Sequence, residues 1–207
     1  MKRNALIALV FVAAAPLHAL AQTVNLDFEG ASSFSSVANF YNGGVDGGGQ
    51  AGTNFGISFG GDALAIDIRD LVSISNAPSG VTVMGAVGPD AFMNVASGFA
   101  GALQFAYSST DATAVVTVFS GLNGTGTQLA SFSLASNATT GCVDSDYCHF
   151  DVANLAFAGV AKSVNFGASP LVAYDNVSVS LVPEPSGVAL MLAGFGVLGF
   201  AARRRRG

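Results

Sequence analysis

Four oxygen-bearing side chains stand where a cation can be held. Glu29 closes the first apolar run, Asn42 and Asp46 lie in the glycine-rich stretch Asn-Gly-Gly-Val-Asp-Gly-Gly-Gly, and Asp175 opens the last alternating run, Ala-Tyr-Asp-Asn-Val-Ser-Val-Ser. Calcium takes about six to eight oxygens from carboxylates, amides and backbone carbonyls. In a sandwich whose first and last strands are neighbours, Glu29 and Asp175 converge and the loop residues supply the rest. One structural Ca2+ is therefore expected on Glu29, Asn42, Asp46 and Asp175. The competing reading is that Asp175 and Asn176 merely begin a strand and that Asp46 sits in an exposed turn.

Charge favours a cation and disfavours nucleic acid. Residues 22–182 contain only Arg69 and Lys162 as strong bases against twelve of the thirteen acids, Glu184 alone lying outside, so the segment carries ten net negative charges. Such a surface repels phosphate backbones. Carboxylates without lysine partners suit a divalent ion, or keep an exported protein soluble.

Two patterns associated with catalysis occur and are set aside. Gly56-Ile57-Ser58-Phe59-Gly60 fits a nucleophile elbow, which works only at a strand-to-helix turn, whereas these residues lie inside a β-like run. Gly47, Gly49 and Gly52 have dinucleotide-fingerprint spacing but no strand-turn-helix unit around them, so a flexible loop accounts for them. A hydrolase remains the competing class: Asp144, Asp146 and Asp151 could act as acid and base near His149 if two carboxyls shared a cleft at fixed separation. The spacing shows no such pair, and no catalytic residue is assigned.

Cys142 and Cys148 are both in the exported part, and a local disulfide is the expected outcome. It should pin a loop rather than hold the fold. Sugar binding usually offers flat aromatic platforms. The chain has no Trp and four Tyr, of which Tyr41 and Tyr147 fall in loops where they can stack on a ring or simply pack.

The elements that must position these residues are strands. Leu26 and Phe28 alternate with polar residues, as do Leu103, Phe105 and Tyr107, then Val164 and Phe166, then Val177, Val179 and Leu181. The turn sequence Gly-Leu-Asn-Gly-Thr-Gly at 121–126 separates runs 113–119 and 128–134 as a hairpin. No window in 22–182 sustains a helical apolar period. The expectation is all-β: a jelly-roll-like antiparallel β-sandwich over residues 22–181, built of ten or so short strands.

Both ends are read as targeting segments. Residues 1–21 have a basic start, an apolar stretch and Ala19-Leu20-Ala21 as a cleavage site, which makes a secretory signal peptide. Residues 182–207 contain Pro183, Glu184 and Pro185, an uncharged apolar run 186–202, and Arg203, Arg204, Arg205 and Arg206. The run is just long enough for a thin membrane span, and the arginines stay on the cytoplasmic side as a stop-transfer lock. The two prolines keep the preceding segment extended and accessible to a protease.

This tripartite tail resembles the PEP-CTERM sorting signal, and the runs at 24–30, 40–49 and 173–180 are similar to the β-sandwich body common to such proteins. The resemblance implies export in a Gram-negative bacterium and processing by an exosortase, an integral-membrane cysteine protease-transpeptidase. It also implies association with extracellular polysaccharide or biofilm. The expected function is that of a non-enzymatic surface or matrix protein, with adhesion or glycan binding in the sandwich; a glycan-active hydrolase and a ligand-free matrix protein are the alternatives.

Overall fold

A computed structural model describes residues 21–71, 73–110, 114–142, 145–167, 172–183 and 194–196. The chain separates into two compact units, of which Ala21–Glu184 is the body. The expected signal peptide and the expected membrane helix lie outside the described residues, apart from a helical fragment at 194–196. No helix among the described residues is long and apolar enough to cross a membrane.

The body is all-β and antiparallel. Ten strands occur in it: β1 (Gln22–Leu26), β2 (Ser35–Ser36), β3 (Ile57–Phe59), β4 (Ala63–Asp67), β5 (Thr82–Ala86), β6 (Phe92–Ser109), β7 (Val115–Phe119), β8 (Gln128–Ser133), β9 (Asp151–Asn165) and β10 (Val172–Leu181). Their order is β2-β4-β5-β10-β6-β9-β7-β8, with β1 on β10 and β3 on β6. First and last strands are thus neighbours, in the register Gln22↔Leu181 to Leu26↔Val177. The hairpin of β7 and β8 forms as its turn sequence requires.

The strands are not all short. β6 runs 18 residues and β9 runs 15, because bulges bend them where a turn was expected. Register shifts fall between Asn94 and Phe99 and between Ala100 and Ala102. Gly98 has φ 86°, and a Cβ there would lie 2.4 Å from a Val160 methyl, so only glycine fits.

Alternation decides where side chains go. Val24 and Leu26, Leu103 and Phe105, Val164 and Phe166, and Val177 and Val179 fill one continuous core. In β4, β5 and β10 the opposite face is apolar as well. Ile66, Val83 and Ala173 there join Ile74, Ala138 and Tyr147 in a second, smaller cluster. That cluster lies under loops, where Ile74 bridges Tyr147 and Cys142 is bonded to Cys148 with Cα atoms 5.7 Å apart. The disulfide therefore pins the cover of the smaller cluster, as its short span suggested.

Candidate functional site

The site forms where β1 ends. Phe28 leaves the ladder at φ 61°, a left-handed conformation unfavourable for an aromatic residue, and its ring is fully buried against Tyr41 and Phe59. The turn takes its N–H out of strand pairing. Tyr41 Oη accepts that N–H at 2.7 Å inside the body. Burial raises the Tyr41 pKa, so the hydroxyl stays protonated, and it is also hydrogen-bonded to the Asp27 carboxylate. One hydroxyl thus fixes Phe28 inward and Asp27 outward.

Glu29 and Asp175 then hold a single segment from two sides. Glu29 Oε1 accepts the amides of Val81 at 2.8 Å and Thr82 at 2.6 Å. Asp175, fully buried on β10, accepts the amide and hydroxyl of Ser79 at 2.7 Å each and its neighbour Asn176 N at 2.6 Å. Burial pushes Asp175 up to about 6, against the lowering effect of these donors, and Asp27 adds to the rise. Gly80 completes the close approach: a Cβ there would stand 2.3 Å from the Glu29 carboxyl carbon.

Asp46 and Asn42 are elsewhere. Asp46 accepts the Ser32 amide at 2.6 Å, the Gly48 amide at 2.9 Å and the Gln50 amide at 2.8 Å. Burial alone would raise its pKa, but these donors leave it below the usual carboxylate value. It is the organising anion of the glycine-rich turn, and is buried rather than exposed. Asn42 bonds within the turn to Asn39. The four expected calcium ligands are therefore split into two pairs, and the turn amides take the place of the cation at Asp46. Among the described residues no three His, Cys, Asp or Glu side chains gather as a metal-holding group.

Beside β1 a groove of about 430 Å³ is lined by Asn25, Asp27, Glu29, Tyr41, Thr53 and Phe55. The rings of Tyr41 and Phe55 stack at 6.1 Å and 19°. Tyr41 is nearly buried and Phe55 half-buried, so the groove offers carboxylate, amide and hydroxyl groups beside a modest apolar wall. Such a lining can hydrogen-bond a polyhydroxylated ligand while the wall meets its CH groups. Asn25, Asp27, Thr53 and Phe55 were not singled out from sequence. The available signal was the alternation of Asn25 and Asp27 with Leu26 and Phe28, which points both outward.

The other candidates resolve as follows. Ser58 lies in β3 opposite Asn94, inside a sheet. Gly47, Gly49 and Gly52 belong to the turn around Asp46. Tyr147 is buried in the smaller cluster. Asp146 is exposed, Asp144 lies outside the described residues, and Asp151 accepts from Asn137 Nδ2 at 2.9 Å and meets His149 Nε2 at 3.0 Å. The Asn137 bond is the main reason that Asp151 sits below the usual carboxylate pKa. At the C-terminal end Val182 N donates to Gly98 O at 2.9 Å and Pro183 is half-buried; Glu184, Pro185 and Arg203, Arg204, Arg205 and Arg206 lie outside the described residues.

Residues 181–206 match the PEP-CTERM protein-sorting motif. The motif marks an exported chain that is anchored by its C-terminus and processed by an exosortase. No curated protein sequence matches the chain. Among solved structures the chain is similar to a β-1,3-glucan-binding CBM6 from Bacillus halodurans, at 12% identity and TM-score 0.40, over 60% of this chain and 89% of that one. It is also similar to a glycoside hydrolase family 43 arabinoxylan arabinofuranohydrolase from Bacillus subtilis in complex with cellotetraose. There the identity is 17% and the TM-score 0.40, over 60% of this chain and 26% of that one. Likeness of that degree names no ligand for this chain.

Proposed function

We propose that this is a non-catalytic cell-surface or extracellular-matrix protein of a Gram-negative bacterium, whose sandwich associates with exopolysaccharide through the groove beside β1. The observation that carries the reading is the joint placement of Asn25, Asp27 and Thr53 around the half-buried ring of Phe55. Amide and carboxylate groups at fixed positions give direction to hydroxyl contacts, and the ring supplies apolar contact. The net negative charge of the body favours a neutral glycan over an anionic one.

The test is a glycan array probed with the full chain, produced without exosortase and kept in a zwitterionic detergent, with and without calcium. Neutral oligosaccharides should bind, and Asp27→Asn together with Thr53→Ala should weaken them at least tenfold. Binding unchanged in that variant would remove the groove from the reading. In the native host, mass spectrometry of envelope protein should find a C-terminus lacking the arginines. An intact terminus ending beyond Arg206 would refute processing.

A further inference from the structure

The outer face of the sheet is covered in one half and bare in the other. Over β4, β5 and the first half of β10 the smaller apolar cluster and its loops cover it. Past Asp175 the cover stops. There the register aligns Asn25 of β1 with Ser178 of β10, Ser178 with Gln104 of β6, and Gln104 with Asn154 of β9. Paired residues share a face, so these four side chains form one row across four strands. At the usual strand spacing the row is about 14 Å long.

Its chemistry differs from that of the rest of the body. No charged residue occurs in the row, although the body carries ten net negative charges. Asn25, Gln104 and Asn154 are exposed, and among the described residues the Gln104 and Asn154 amides have no hydrogen-bond partner. The flanking paired positions Ala102 and Ala156 are small and apolar, which keeps the face flat. An amide both donates and accepts, as does a sugar hydroxyl. Asn25 also lines the groove, so the row continues from it.

We propose that the row Asn25–Ser178–Gln104–Asn154 is an extended subsite that carries a neutral polysaccharide chain out of the groove and across the sheet. The proposal rests on the glycan reading of the groove and adds that the ligand is an internal stretch of polymer rather than a short end. Charge selects the occupant: an anionic polymer meets Asp27 and Glu29 at the groove, while an uncharged row offers a cationic partner nothing to pair with.

The experiment uses the full chain in zwitterionic detergent. Retention on the neutral polysaccharides of an array is compared with binding of their short oligosaccharides, for wild type and for Gln104→Glu with Asn154→Asp. Both substitutions are near-isosteric at exposed positions, and an unchanged melting temperature confirms the fold. The expected result is that wild type binds polymer at least tenfold more tightly than oligosaccharide, and that the variant loses this advantage while keeping oligosaccharide binding. Equal polymer binding by wild type and variant overturns the subsite and leaves the groove standing. No retention of any neutral polymer overturns both. A wild-type dimer that the variant converts to monomer overturns the subsite in favour of a second copy of the chain.

Discussion

Replacing Tyr41 with Phe removes one oxygen and leaves the ring. In the native body that oxygen accepts the Phe28 amide at 2.7 Å and bonds the Asp27 carboxylate, at a position where Tyr41 is 4% exposed and Phe28 is 0% exposed. The ring itself packs on Phe28, Phe40 and Phe55, so its apolar contacts survive. What remains is a buried amide without a partner, which costs about 1–3 kcal/mol. The cost is not relieved by rotation, because Phe28 is held at φ 61° by its own buried ring. For a body of this length each kcal/mol moves the melting temperature by roughly 2–4 °C, so Tyr41→Phe should lower it by about 3–10 °C. Asp27 also loses a donor, and groove binding should weaken with it. The assay is thermal unfolding of the full chain by near-ultraviolet circular dichroism, with exposed Thr53→Ala as the control. A melting temperature within a degree of wild type would refute the view that this hydroxyl ties the groove to the core.

Other expectations follow from single contacts. Cys142→Ser with Cys148→Ser should cost about 2 kcal/mol by the chain-entropy relation and should expose the smaller cluster to hydrophobic dye, while the main core stays folded; dye binding unchanged from wild type would oppose that role. Asn137 donates to Asp151 and to Tyr107 O, and accepts the Ser109 amide. Asn137→Ala should therefore destabilise by about 2–3 kcal/mol, and acid titration of stability is its second measure. Because Asp151 is lowered in the fold, its contribution is complete above its ordinary value of 3.8 and is lost as pH falls through the native value; the variant should show a shallower loss in that range. We further propose calcium at the Glu29–Asp175 side, where Glu29 Oε2 has no hydrogen bond among the described residues. An ion at about tenfold excess over its dissociation constant stabilises by about 1.4 kcal/mol, so the melting temperature should rise by roughly 3–6 °C and fall back in excess chelator. A curve indifferent to both would leave the amides of Ser79, Val81 and Thr82 as the only partners of these carboxylates.

The sequence by itself determined whatever depends on local period and composition. Alternation of Leu26 with Phe28 and of Val177 with Val179 and Leu181 required strands with one buried face, and glycines at 121–126 required the hairpin turn, because both are read within a few residues. The two cysteines and the Pro-Glu-Pro tail with its arginines were legible for the same reason. Sequence did not determine that β6 and β9 would pass through bulges as long strands, since the bulged Gly98 looks the same as a turn glycine until Val160 is packed on it. Nor did it reveal how the carboxylates are satisfied. Glu29 meets amides about fifty residues away and Asp175 meets Ser79 nearly a hundred residues away. Asp46 looked like a loop ligand because the donors of a folded turn do not exist until it folds. The groove and the uncharged row have a similar origin. Asn25, Ser178, Gln104 and Asn154 become one surface only through the register of four strands, and register is set by burying their inward neighbours Val24, Val179, Leu103 and Leu155.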